Sequence, residues 1–108
     1  MKIYQESDVS RDSWIALTAV FWRERMGLLD DFQAIDGIDV HEIETMRKGI
    51  RISCKMSFLP KMESFPATIL LVRPRFSSIQ DFTPHKLESA TIQSACVEAD
   101  ESLSIEIG

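Results

Sequence analysis

From Ile50 to Phe58 apolar and polar side chains alternate without a break. Successive side chains of a strand point to opposite faces, so Ile50, Ile52, Cys54, Met56 and Phe58 form an apolar face, and Arg51, Ser53, Lys55 and Ser57 a wetter one. This half-buried strand sets the direction in which the other elements must pack. The run Ala67 to Arg73 is apolar almost throughout and is its natural antiparallel partner, with Pro74 ending that strand or placing it at an edge. Leu103 to Ile107 alternates again and adds a strand, and Lys2 to Gln5 is a short candidate at the start.

The remaining apolar positions recur at helical spacing. Ser7-Asp8-Val9-Ser10 is rich in capping residues, and Trp14, Ile15, Leu17, Thr18, Phe21, Trp22 and Met26 form a wide stripe, which predicts a helix over 11–26 stopped by Gly27. Aromatic residues at this spacing belong to a core, so the two Trp and Phe21 are expected to cover the central strand. Leu28 to Ile35 reads as two further helical turns broken by Asp36-Gly37. Asp39 and Glu42 have the spacing of a capping box, Ile38 and Ile43 that of a hydrophobic staple, and Gly49 that of a left-handed stop, which predicts a helix over 40–48. Thr83-Pro84 is a helix start. Beyond it, β-branched Thr91, Ile92 and Val97 let the stretch to Ala99 read as helix or strand, and helix over 84–97 is the expectation taken. The fold class is therefore α+β, an antiparallel sheet of three to five strands with two or three helices packed on one face, in a single domain over 1–108.

Composition supports a chain that folds alone: 44% of residues are hydrophobic and 27% charged, outside the disordered range. No apolar run approaches the roughly 18–20 residues of a membrane-spanning helix. Met1 to Glu6 lacks the apolar core of a secretory signal, and the expectation is a cytoplasmic protein. Two cysteines are too few for a disulfide framework, and Cys54 and Cys96 are both read as small buried residues. The net charge of −5 disfavours a general nucleic-acid binder, yet the charges are segregated. Residues 26–46 carry six acids and no Lys or Arg, 47–86 carry eight bases and two acids, and 87–108 carry five acids and no base.

Several chemistries are excluded by residue type or spacing. Three helices followed by two strands is the element order of a winged helix, but Glu42 and Glu44 stand on its reading helix where phosphate-facing helices carry bases. The acidic run around Gly37 fails as a calcium loop, because with Gly37 at the sixth position the first is Phe32 and the twelfth Ile43. His41 and His85 have no Cys or second His at ligand spacing, and the four glycines form no phosphate loop. Cys54 points into the core, and nothing selects one carboxylate pair as acid and base, so no enzyme, metal or cofactor is expected.

Phe76-Ser77-Ser78-Ile79-Gln80-Asp81-Phe82-Thr83-Pro84, with Leu87, resembles the strand-end-to-helix segment of type VI secretion sheath subunits, in which a Phe, a Ser, an aliphatic residue and then Asp-Phe-x-Pro recur. The resemblance covers that segment alone, implies a component of a contractile assembly, and carries over no site residues.

The leading expectation is a small acidic interaction protein, of inhibitor, immunity or adaptor type, that binds a partner with a basic surface through Asp30, Asp31, Asp36, Asp39, Glu42 and Glu44 on an acidic helix-loop-helix. The alternative is anion or RNA binding by a basic sheet face of Arg51, Lys55, Arg73 and Arg75. A monomer is expected, or a homodimer through a sheet edge formed by the last strand or the strand ending at Pro74.

Overall fold

The computed structural model describes residues 3–4, 9–24, 34–60 and 63–108. Along the chain these form β1 (Ile3–Tyr4), α1 (Arg11–Arg23), β2 (Ala34–Met46), β3 (Gly49–Leu59), β4 (Glu63–Val72), a 3-10 turn at Ile79–Asp81, α2 (Pro84–Glu88), β5 (Ile92–Val97) and β6 (Leu103–Ile107). The strands make one sheet in the order β1-β2-β3-β4-β6-β5. Every pair is antiparallel except β4 with β6, which run parallel, so the α+β class stands but the sheet is mixed rather than antiparallel throughout. No helix among the described residues is long and apolar enough to cross a membrane.

The alternation of β3 is realised as expected. Ile50, Ile52, Cys54, Met56 and Phe58 are buried, and across the ladder Ile50, Ile52 and Cys54 face Leu71, Ile69 and Ala67 of β4 on the same side. The parallel ladder continues this face into Leu103, Ile105 and Ile107 of β6. Ala16, Leu17, Val20 and Phe21 of α1, with Phe76, Ile79, Phe82, Leu87 and Ala90 from the connection after β4, complete the core against it. After β4 the chain crosses this apolar face, re-enters the sheet at its far side as β5, and turns back as β6 to lie between β4 and β5.

The expected helix over 40–48 is instead the second half of β2. The cause is visible in the register: irregularities between Ile35 and Gly37, and between Val40 and Glu42, insert Asp36 and His41 as extra residues. A bulge shifts the inward positions of a strand by one residue each time. The inward set thus becomes Ile35, Ile38, Val40 and Ile43, which face Phe58, Met56, Cys54 and Ile52. Steps of three, two and three mimic the spacing of a helix face. Of the helix expected over 28–35, residues 28–33 lie outside the described residues, and Ala34 and Ile35 are strand. The stop expected at Gly27 also falls outside them, and α1 ends at Arg23 with Glu24 as its cap. Ser10 caps the other end, accepting from Ser13 N at 3.3 Å.

The helix expected over 84–97 stops at Glu88, and Ile92–Val97 is strand, the alternative that β-branched Ile92 and Val97 favoured. Thr83 and Pro84 do open α2, with Thr83 as N-cap. Between β4 and α2 the chain runs through the 3-10 turn at Ile79–Asp81, and Asp81 holds that path. Its carboxylate accepts from Ser77 N at 2.8 Å, Ser78 N at 3.2 Å and Lys86 Nζ at 2.9 Å. Lys86 chiefly, then the Ser77 amide, hold the Asp81 carboxyl below its ordinary value of 3.8. Because the folded value is the lower one, the stabilisation is complete above 3.8 and is lost as pH falls through the folded value. Asp81→Asn should therefore lower stability at neutral pH, and urea titrations of the two proteins should converge as the pH is taken below that range.

Among the described residues, Gly49 is the one position where glycine is geometrically required. It follows the two-residue turn Arg47-Lys48 of the β2–β3 hairpin with φ +148°, and a Cβ there would lie 1.9 Å from the Leu71 carbonyl oxygen. Gly49→Ala combines a disfavoured backbone with a backbone clash, and should cost at least about 2 kcal/mol in urea unfolding.

Candidate functional site

Sequence segregates acids and bases, but the β2–β3 hairpin brings them together. Asp39 stands directly across from Lys55, and Glu44 across from Arg51, all on the outer face of the sheet. Glu44 is buried at 6% exposure, and both its oxygens accept from Arg51 Nη2, at 2.9 and 3.0 Å. Glu42 is half-buried and faces Ser53. Asp36 and Asp39 are exposed. Asp30 and Asp31 lie outside the described residues. The acids that are described therefore occupy a strand, not a helix-loop-helix, and Glu44 is committed to an internal partner.

The alternative basic set is divided in the same way. Arg51 and Lys55 stand on the outer face of β3, and Arg51 is engaged by Glu44. Arg73 and Arg75 follow the end of β4 in a turn. Arg75 reaches α2, donating to Lys86 O at 3.2 Å and to the Ser89 hydroxyl. Arg73 is exposed, and its backbone N–H donates to Lys48 O at 2.8 Å.

The two cysteines part company. Cys54 is buried, and desolvation, with the nearby Asp39 charge second, pushes its thiol up to about 12, which removes it as a thiolate at neutral pH. Cys96, expected to be buried, is exposed on β5 and donates to Glu98 Oε1 at 3.0 Å. That hydrogen bond is the first cause of its own raised pKa. His41, the extra residue of the second bulge, and His85 are both exposed. No group of His, Cys, Asp or Glu among the described residues is arranged to hold a metal.

What the sequence did not indicate is a groove of about 330 Å³ between α1 and β2, lined by Val9, Arg11, Trp14, Ile15, Thr18, Gly37 and Ile38. Its walls are largely apolar. Asp36 and Asp39 adjoin Gly37 and Ile38 along β2 without lining the groove, Asp39 on the outer face opposite Lys55, and Arg11 stands on the α1 wall. Trp14 meets Phe82 edge-on at 4.9 Å between ring centroids, and its buried indole N–H has no acceptor among the described residues. Beside the groove, Ile15, Ala19 and Trp22 are exposed at i, i+4 and i+7 of α1, with Ile15 at 56% and Trp22 at 63%. Trp22 is thus not the core residue that its spacing suggested. Phe21, one position earlier, is buried and fills that role. The signal available in sequence was the width of the apolar stripe, since two adjacent large aromatics on one helix cannot both face one core.

Arg51→Ala should leave the Glu44 carboxylate buried and unpaired. With Arg51 itself 39% exposed, the expected cost is about 1–2 kcal/mol in denaturant unfolding, short of the loss of a fully buried pair. Arg51→Met with Glu44→Gln together should recover part of it. No protein-family model, curated protein or solved structure matches this chain.

Proposed function

We propose that this chain is a small protein-binding module that receives an apolar side chain of a basic partner in the groove between α1 and β2. The observation that carries the reading is the groove itself, with an exposed apolar ridge along α1 and two exposed carboxylates on the strand, β2, that supplies its other wall. Exposed large apolar side chains grouped next to a concavity and bordered by charge have the make-up of a recognition surface, with an apolar centre and a polar rim. The Ile15–Ala19–Trp22 ridge supplies contact area at little entropic cost, because the helix already fixes its backbone. Asp36 and Asp39 contribute attraction at a distance, which raises the encounter rate more than the final affinity. Acidic recognition of a basic partner thus rests on the exposed acids of a strand, Asp36 and Asp39, and not on a helix pair.

Peptides selected from a random display library on the full chain should be rich in a large apolar residue flanked by Lys or Arg. Ile15→Glu should weaken the selected peptides about tenfold or more, as expected for charging an apolar contact. Asp36→Lys with Asp39→Lys should slow association and flatten its salt dependence, with a smaller effect on dissociation. Peptides that bind all three proteins equally would remove the groove from consideration.

A further inference from the structure

We propose that the free edge of β5 pairs two copies of this chain into an antiparallel dimer centred on Cys96. The sheet ends differently on its two sides. On one side β1 covers Ile43 and Glu44 of β2, and the rest of that strand is interrupted by bulges at Asp36 and His41 and carries exposed Asp39. Bulges and charges are the ordinary protection of a sheet edge. On the other side β5, Ile-Gln-Ser-Ala-Cys-Val, has no charged residue and no proline, and no described strand lies beyond it. The strands expected to offer an edge, β4 and β6, are both interior. The exposed edge is the segment that sequence reading assigned to a helix.

The hydrogen-bond phase of β5 selects the mode of pairing. Glu98 N donates to Ser102 O at 2.8 Å, and the register then runs Val97 to Leu103, Cys96 to Ser104, Ala95 to Ile105 and Ser94 to Glu106. In an antiparallel ladder the bonded and non-bonded pairs alternate, so the backbone groups of Ser94 and Cys96 face β6, and those of Ala95 and Val97 face outward. The two outward residues bracket Cys96. A two-fold axis at Cys96 sets Ala95 of each copy against Val97 of the other, and each such pair exchanges two backbone hydrogen bonds. All four outward groups of the regular part of β5 are thereby used in both copies.

The side chains agree with this register. On the inner face, Val97, which is 43% exposed, would meet the small side chain of the other copy's Ala95, extending the apolar layer of the sheet. On the outer face, Ser94 would meet Glu98, a hydroxyl beside a carboxylate, and Cys96 would meet Cys96 as a non-bonded pair with Cα atoms roughly 4.5 Å apart. Antiparallel pairing also sends the acidic turns containing Glu98, Asp100 and Glu101 to opposite ends, so two copies of net charge −5 meet along their uncharged strands. The groove lies against the opposite side of the sheet and stays open in both copies. This proposal is therefore independent of the peptide-binding reading.

The contact is a few residues long, which puts it at the weak end of specific interfaces. Sedimentation velocity on the full chain up to several hundred micromolar, on the scale of weak association, should show a monomer–dimer equilibrium. Diamide oxidation should join the dimer through Cys96. It is best run under alkaline conditions, since Glu98 holds that thiol above its ordinary value of 9.0. Ala95→Pro removes an N–H that faces outward, so it should leave the monomer folded by circular dichroism and weaken dimerisation about tenfold or more through two lost donors. Cys96→Lys, at an exposed position, should weaken it likewise by setting two ammonium groups face to face, and it serves if the proline variant does not fold. A chain that stays monomeric throughout, or a dimer that neither cross-links at Cys96 nor responds to either substitution, overturns the proposal.

Discussion

The pairing of β2 with β3 is the constraint on which the rest depends. The tight turn ending at Gly49 fixes where the hairpin starts, and Gly49 must lack a side chain because the Leu71 carbonyl of β4 occupies that space. From there the register puts Glu44 against Arg51 on the outer face and Ile43 against Ile52 on the inner one. A slip of one residue would bury the acids and expose the isoleucines. The two bulges let a strand with awkwardly spaced apolar residues keep all of them on one side. Without them, Ile35 and Ile38 could not both point at the core.

How much of this was legible follows from the regularity of each segment. β3 and β4 have period-two or continuous apolar patterns, and α1 has a wide helical stripe with a Ser10 cap, so their existence and type were readable. Thr83-Pro84 marked the start of α2 for the same local reason. β2 was not readable as a strand because each bulge adds a residue, and the resulting spacing of Ile35, Ile38, Val40 and Ile43 coincides with helical spacing. Asp39 and Glu42 then resembled a capping box by composition alone. β5 has the same difficulty on a smaller scale, with an irregularity between Ile92 and Ser94 and a polar sequence that a buried strand would not have. Its polarity is the property of an edge, which depends on strand order and hence on contacts distant in sequence.

The candidate site was legible in its chemistry and hidden in its geometry. Acids concentrated in 26–46 and bases in 47–86 are facts of the sequence, but a hairpin folds one segment onto the other and turns segregation into cross-strand neutralisation. Glu44 illustrates the consequence. Its place in an acidic run marks it as surface charge, yet against Arg51 it is one of two buried polar or charged residues among those described. Asp36 stays clear of that pairing because it sits in a bulge, whereas Asp39 faces Lys55 across the ladder and keeps its exposure. Both adjoin Gly37 and Ile38 along β2, so exposed carboxylates lie next in sequence to the residues of the groove's β2 wall.

The two sides of the sheet then carry different burdens. Towards β2, bulges, exposed carboxylates and the overlying α1 discourage another strand from docking and leave a concavity suited to side chains. Towards β5, a short uncharged strand exposes outward N–H and C=O groups in a self-complementary phase, with its acids confined to the flanking turn. A chain of this size has little surface to divide among tasks, and the asymmetry lets recognition and self-association proceed without competing for it. If the β5 edges pair, the two grooves lie at opposite ends of one continuous sheet. A partner presenting two basic, apolar segments would then bind with an effective concentration set by that separation, gaining avidity that a single groove cannot supply.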